Sequence, residues 1–149
     1  MEYPKRKRNR LEGYDYSQNG AYFLTICVKD KKPLLGKVCV GVDAHIDPLV
    51  ELSATGKIVE MYLRKVPGIH KYVIMPNHVH MIVNVDAPAS GIPQRIRSFK
   101  TMVTKAIGMS VFQRSYHDHV IRNQQDYLRI WNYIDGNPGK GEEDCFYCK

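Results

Sequence analysis

Within the 149 residues no run of about 18 apolar residues occurs that could cross a bilayer as a helix. The first residues also lack the apolar stretch of a secretion signal. A cytoplasmic chain that engages no membrane is therefore the expectation. Cysteine is scarce: of four, Cys27 and Cys39 fall in apolar, strand-like runs, where a free thiol behaves as a small hydrophobe in a reducing compartment. Cys145 and Cys148 have the spacing of half a zinc knuckle with no second half, so they fit an ordinary tail as well as a metal. There is one tryptophan, no internal repeat, and no low-complexity stretch beyond a basic beginning.

Acidic residues are the minority, and the imbalance is local. The first ten residues hold Lys5, Arg6, Lys7, Arg8 and Arg10 against Glu2 alone, so +4 of the net +7 lies there. Residues 1–12 read as a flexible basic arm that would meet polyanions by counterion release, or as a solvated tail. Residues 13–149 have the length of one domain with one core.

The β-branched and aromatic run 21–29 predicts a first strand, and 37–41 a short second one, followed by a polar loop over 42–48. Ile58, Val59, Tyr62, Leu63 and Val66 share a helical face, with Ser53 or Thr55 as N-cap and Gly68 as terminator. Strands 71–75 and 79–85 are joined by Pro76-Asn77, which suits a tight antiparallel reversal. A second helix starts near Pro93, with Ile96, Phe99, Met102, Val103, Ala106 and Ile107 as its stripe and Arg95, Arg97, Lys100 and Lys105 on its other side. Residues 111–120 hold a mixed segment with room for another strand, and a third helix runs from an Asn123 cap to Gly136. The order predicts an α+β, ferredoxin-like (RRM-like) antiparallel sheet with helices packed on one face and the other face open to a ligand.

Side chains alternate along a strand, so Val79, Met81, Val83 and Val85 point to the core while His78, His80, Ile82 and Asn84 point the other way. Two imidazoles side by side on a stiff strand are half of a metal site, or ordinary polar surface. Histidine-triad nucleotide hydrolases need a third alternating histidine, and Ile82 stands in its place. On the third helix Tyr127, Ile130, Trp131 and Ile134 form the apolar stripe, while Tyr133 and Asn137 project to one side of it, one turn apart. An Asn137 amide oxygen could meet a metal that the Tyr133 hydroxyl approaches. Tyr133 also reads as one more packing aromatic among ten tyrosines. As a nucleophile it needs help, since ionising a phenol of pKa about 10 at neutral pH costs roughly 4 kcal/mol. A divalent ion on the scissile phosphate gives that help by stabilising developing charge.

Residues 72–83 around Pro76-Asn77-His78-Val79-His80, residues 114–123 around Tyr116-His117-Asp118-His119, and residues 133–138 from Tyr133 to Asn137-Pro138 occur in that order. Together with Gly13-Tyr14-Asp15-Tyr16 and residues 22–27, they resemble the REP-associated tyrosine transposases of the histidine-hydrophobic-histidine (HUH) nuclease superfamily. The resemblance implies that 13–149 is one catalytic domain. It also implies metal-dependent cutting and strand transfer on single-stranded DNA near hairpins, through a 5′-phosphotyrosine intermediate and a free 3′-hydroxyl. On this resemblance Tyr133 is the nucleophile, and His78, His80 and Asn137 hold Mg2+ or Mn2+. Lys5, Arg6, Lys7, Arg8, Arg10, Arg95, Arg97, Lys100 and Lys105 would bind DNA, with a local or DNA-contacting role for His119. A homodimer is compatible with it. One departure is the tail: Gly139-Lys140-Gly141 runs into Glu142, where family members commonly carry a tryptophan. Two other readings stay open: a domesticated, non-catalytic hairpin-binding protein, and a phosphodiesterase that uses water in place of Tyr133.

Overall fold

A computed structural model describes residues 20–39, 49–85 and 91–136. The basic arm, the 42–48 loop, Asn137 and the Cys145/Cys148 pair lie outside the described residues.

The strand β1 (Gly20–Cys27) is followed by a single 3-10 turn (Lys29–Lys31), then β2 (Gly36–Cys39) and β3 (Leu49–Leu52). Next come α1 (Ala54–Leu63), β4 (Ile69–Met75), β5 (His78–Val85), α2 (Ile92–Ile107), β6 (His117–Ile121) and α3 (Gln124–Gly136). Four strands make one antiparallel sheet in the order β4-β5-β1-β6, while β2 and β3 pair as a separate ribbon. The expected α+β class and ferredoxin-like order hold.

Local chemistry sets the boundaries. Ser53 caps α1, its hydroxyl accepting from Gly56 N at 3.0 Å and donating to the Leu34 carbonyl at 2.6 Å. The helix ends at Leu63, short of the expected stop at Gly68. Pro67 disfavours a helical conformation at Val66, and Gly68 supplies the positive φ of 80° that turns the chain into β4. The reversal between β4 and β5 falls at Pro76-Asn77, with Met75 opposite His78. Pro93 opens α2 and Gly108, at φ 87°, closes it. Asn123 Oδ1 accepts from Asp126 N at 2.8 Å at the start of α3.

Tyr22, Leu24 and Ile26 of β1 join Val79, Met81 and Val83 of β5 in the main core, with Val59 and Leu63 of α1 and Ile96, Phe99 and Val103 of α2. The expectation of helices on one face holds for α1 and α2 only. On the opposite face Ile82 packs with Ile130 and Ile134 of α3, with Phe23, Val73, Ile121, Tyr127 and Trp131 around them. The reason is visible in the strands: Phe23, Val73 and Ile82 make the centre of that face apolar, and it needs cover. β3 was not expected, because four residues with one partner strand carry too short an alternation to register against a loop.

Candidate active site

His78 and His80 lie on the α3 side of the sheet, both fully buried, with ring centroids 4.6 Å apart. The Tyr133 ring reaches this pair from α3, its centroid 5.4 Å from that of His80 and at 63° to it. Phe23 stacks on His80 at 5.3 Å and meets Tyr133 edge-on at 6.2 Å. Three residues separated by up to 55 positions in the chain thus converge on one spot. Asn137, the remaining proposed ligand, follows the last described residue.

Each imidazole is held by its Nδ1. Asn77 donates its Nδ2 to the Lys31 carbonyl at 3.4 Å, so its Oδ1 is the acceptor for His78 Nδ1–H at 2.7 Å. His80 Nδ1 is 2.8 Å from the hydroxyl of Thr25, which is 2% exposed and lies opposite His80 in the β1–β5 register. Thr25 and Asn77 were not singled out from the sequence, although Asn77 adjoins His78 and Thr25 interrupts an apolar strand with a polar side chain. Across β1 the same register places His117 of β6 opposite Thr25, and His119 opposite Phe23. Directly paired residues share a face, so both β6 histidines stand on the side that carries His80. Among the described residues no three His, Cys, Asp or Glu side chains gather into a group that could hold a metal.

Charged contacts hold α3 at both ends. In its first turn Asp126 accepts from His119 Nε2 at 2.7 Å and from Arg129 at 2.5 Å. His119 thus contacts the first turn of the helix. Near the other end Lys71 of β4 pairs with Asp135 at 2.5 Å and lies 4.1 Å above the Trp131 ring. These two contacts flank Tyr133 along the helix.

The bond from Arg129, and next that from His119, hold the Asp126 carboxyl below the usual carboxylate range. A lowered folded-state pKa contributes stability above the unfolded value, and that contribution disappears as pH falls through the folded value. Asp126→Asn should therefore lower the thermal midpoint at neutral pH, and the gap from the unaltered protein should close as both are titrated below about pH 3.9. Calorimetry across that range reads the difference directly.

The basic side chains of α2 divide. Arg95, expected on a DNA-facing surface, is 8% exposed, and its Nη1 donates to the carbonyls of Pro67 and Asn84. It falls one turn before Phe99, on the core side of the helix, where its charge ties the turn before β4 to the end of β5. Lys100 donates to the carbonyls of Gln113 and Arg114 at 2.7 and 3.0 Å. Arg97 and Lys105 are exposed. All four sit on the helix that packs against the Val79 and Met81 face, with the sheet between them and the histidines.

No protein-family model matches the chain. It is 31% identical over 174 aligned residues to an uncharacterised protein of Haemophilus influenzae, covering 95% of this chain and 93% of that one. It is 25% identical over 126 residues to a REP-associated tyrosine transposase of Escherichia coli, covering 84% and 70% of the two chains. In fold it matches the solved structure of a REP-associated tyrosine transposase bound to a REP hairpin. The TM-score is 0.62 at 22% identity, over 94% of this chain and 74% of the other. Sequence and architecture place the chain in the class of transposase-like DNA-processing proteins. It belongs to the family of the Haemophilus protein, and it resembles the REP-associated tyrosine transposases in sequence and in fold.

Proposed function

We propose that this protein is a metal-dependent endonuclease and strand transferase for single-stranded DNA that acts beside hairpins. The observation that supports it best is the meeting of Tyr133 with His78 and His80 on one face of the sheet. In the cutting step the Tyr133 oxygen forms a bond to phosphorus and loses its proton. The bond from phosphorus to the 3′-oxygen breaks, leaving a 5′-phosphotyrosine and a free 3′-hydroxyl. The step conserves the phosphodiester energy in the tyrosyl ester, so that 3′-hydroxyl can later attack and rejoin.

The donor set fits a divalent ion. His78 Nδ1–H donates to Asn77, and in the tautomer where His80 Nδ1–H donates to the Thr25 hydroxyl the Nε2 atoms of both imidazoles are the ones that would face an ion. Asn137, four residues beyond Tyr133 in sequence, would supply an amide oxygen, and a mixed nitrogen and oxygen set favours Mg2+ or Mn2+ over structural zinc. Bound there, the ion would supply Lewis-acid stabilisation of charge on the phosphoryl oxygens. The chain's own part is orientation: Phe23 and His80 pack the Tyr133 ring, and the Asp126 and Lys71 contacts fix the helix that carries it.

The hairpin in the solved relative supports a hairpin-bearing substrate here. The test is to mix the protein with labelled single-stranded DNA carrying a hairpin, add Mn2+, and run a denaturing gel. A protein–DNA adduct that chelator abolishes is the expected result. Tight binding with no adduct under any divalent metal would overturn the catalytic reading in favour of a hairpin-binding protein.

A further inference from the structure

β1 ends at Cys27, directly opposite His78. The chain then turns through Lys29–Lys31, where Asp30 and Lys31 both adopt positive φ, 57° and 53°, a conformation side chains other than glycine rarely take. Alongside runs the segment that leads into β6, tied to the end of β1 by Gln113 N to the Cys27 carbonyl at 2.8 Å and Lys29 N to the Val111 carbonyl at 2.9 Å. Between the two segments lies an open groove of about 720 Å³, lined by Lys29, Asp30, Lys31, Gln113, Arg114 and Ser115. Its lining carries three cations and one carboxylate, with Lys29, Lys31 and Arg114 all exposed. A fourth cation, Lys100, bonds the carbonyls of Gln113 and Arg114, fixing that wall and adding positive potential beside it.

The groove is joined to the proposed catalytic centre by two hydrogen bonds. The Lys31 carbonyl accepts from Asn77, and Asn77 accepts from His78. A chain lying in the groove would therefore arrive at the end of the sheet where His78 begins β5. By contrast, the smaller cavity of about 140 Å³ beside Tyr62, Phe99 and Met102 is on the far side of the sheet.

We infer that this groove binds the sugar-phosphate backbone of single-stranded DNA and leads the strand to His78 and Tyr133. The inference rests on the function proposed above and adds a place on the protein for the strand itself. Lysine and arginine serve there as phosphate partners, independent of base sequence. None of these side chains is part of the metal or nucleophile set.

The test is fluorescence anisotropy with a labelled oligo-dT strand, in chelator so that no cleavage occurs, over a series of salt concentrations. The triple variant Lys29→Gln, Lys31→Gln, Arg114→Gln should bind about 10-fold or more weakly near physiological salt. Its log–log salt slope should fall by about 2, at roughly 0.7 per phosphate contact on a single strand. A control variant, Lys37→Gln, Lys57→Gln, Lys65→Gln, removes the same charge from exposed positions on β2, on α1 and just after α1 and should change affinity by no more than about 2-fold. Matching far-ultraviolet spectra and thermal midpoints establish that both variants fold. Equal weakening in the two variants, or none in the first, overturns the groove. Because the assay needs no chemistry, its outcome is separable from that of the adduct gel. Groove-dependent binding without an adduct sinks only the catalytic reading, and an adduct with groove-independent binding sinks only the groove.

Discussion

Replacing Tyr133 by Phe should eliminate the covalent protein–DNA adduct, a loss of ~10³-fold or more in cleavage, while leaving the affinity for hairpin-bearing DNA in chelator within about 2-fold. The substitution removes one oxygen from a half-buried ring that packs by its faces and edges on Phe23 and His80, so the ring contacts survive. The separation between lost chemistry and retained binding is the informative part. Adduct formation that persists in the variant would assign the nucleophile elsewhere. Nicking without any adduct in both proteins would instead point to water as the attacking group. The measurement is a denaturing gel run beside an anisotropy titration on the same preparations.

His80→Ala should have the second-largest effect, because it removes a proposed ligand and the ring on which Tyr133 packs. Metal-dependent cleavage should fall below detection, and Mn2+ affinity, read by electron paramagnetic resonance titration, should drop by ~100-fold or more. The neighbouring hydroxyl offers a graded version of the same test. Thr25→Val keeps the shape of a buried strand residue but removes the partner of His80 Nδ1, and should weaken Mn2+ binding by ~10-fold or more, whereas Thr25→Ser should restore most of it. A purely structural Thr25 would give equal Mn2+ affinity in all three proteins. His80→Ala with undiminished Mn2+ binding would remove the histidine pair from the metal site.

The parts of this fold that are legible in the sequence are those with strong local periodicity. Strand alternation separates Val79, Met81 and Val83 from His78 and His80, and the helical stripe of α3 sets Tyr133 to the side of Ile130 and Ile134. The structure then brings those two outcomes together. Less legible is what depends on tertiary partners. That α3 covers the second face follows from Phe23, Val73 and Ile82 sharing it, but the three lie on three strands, and their alignment needs the register. Arg95 looks like a surface cation until Pro67 and Asn84 present their carbonyls to it. The partners of the imidazoles, Asn77 and Thr25, are polar residues whose meaning comes only from what stands opposite them. Lys29, Lys31 and Arg114 are scattered in sequence, and only the antiparallel return of the chain places them around one groove.

The covalent bond itself is the most direct test of the account. After incubation with Mn2+ and hairpin-bearing single-stranded DNA, the adduct should be treated with nuclease, digested with trypsin and sequenced by mass spectrometry. Cleavage after Arg129 and Lys140 gives a peptide in which Tyr133 is the sole tyrosine. The account predicts that this peptide carries a nucleotide joined through its 5′-phosphate to Tyr133. A nucleotide found on any other residue, or joined through a 3′-phosphate, would contradict it.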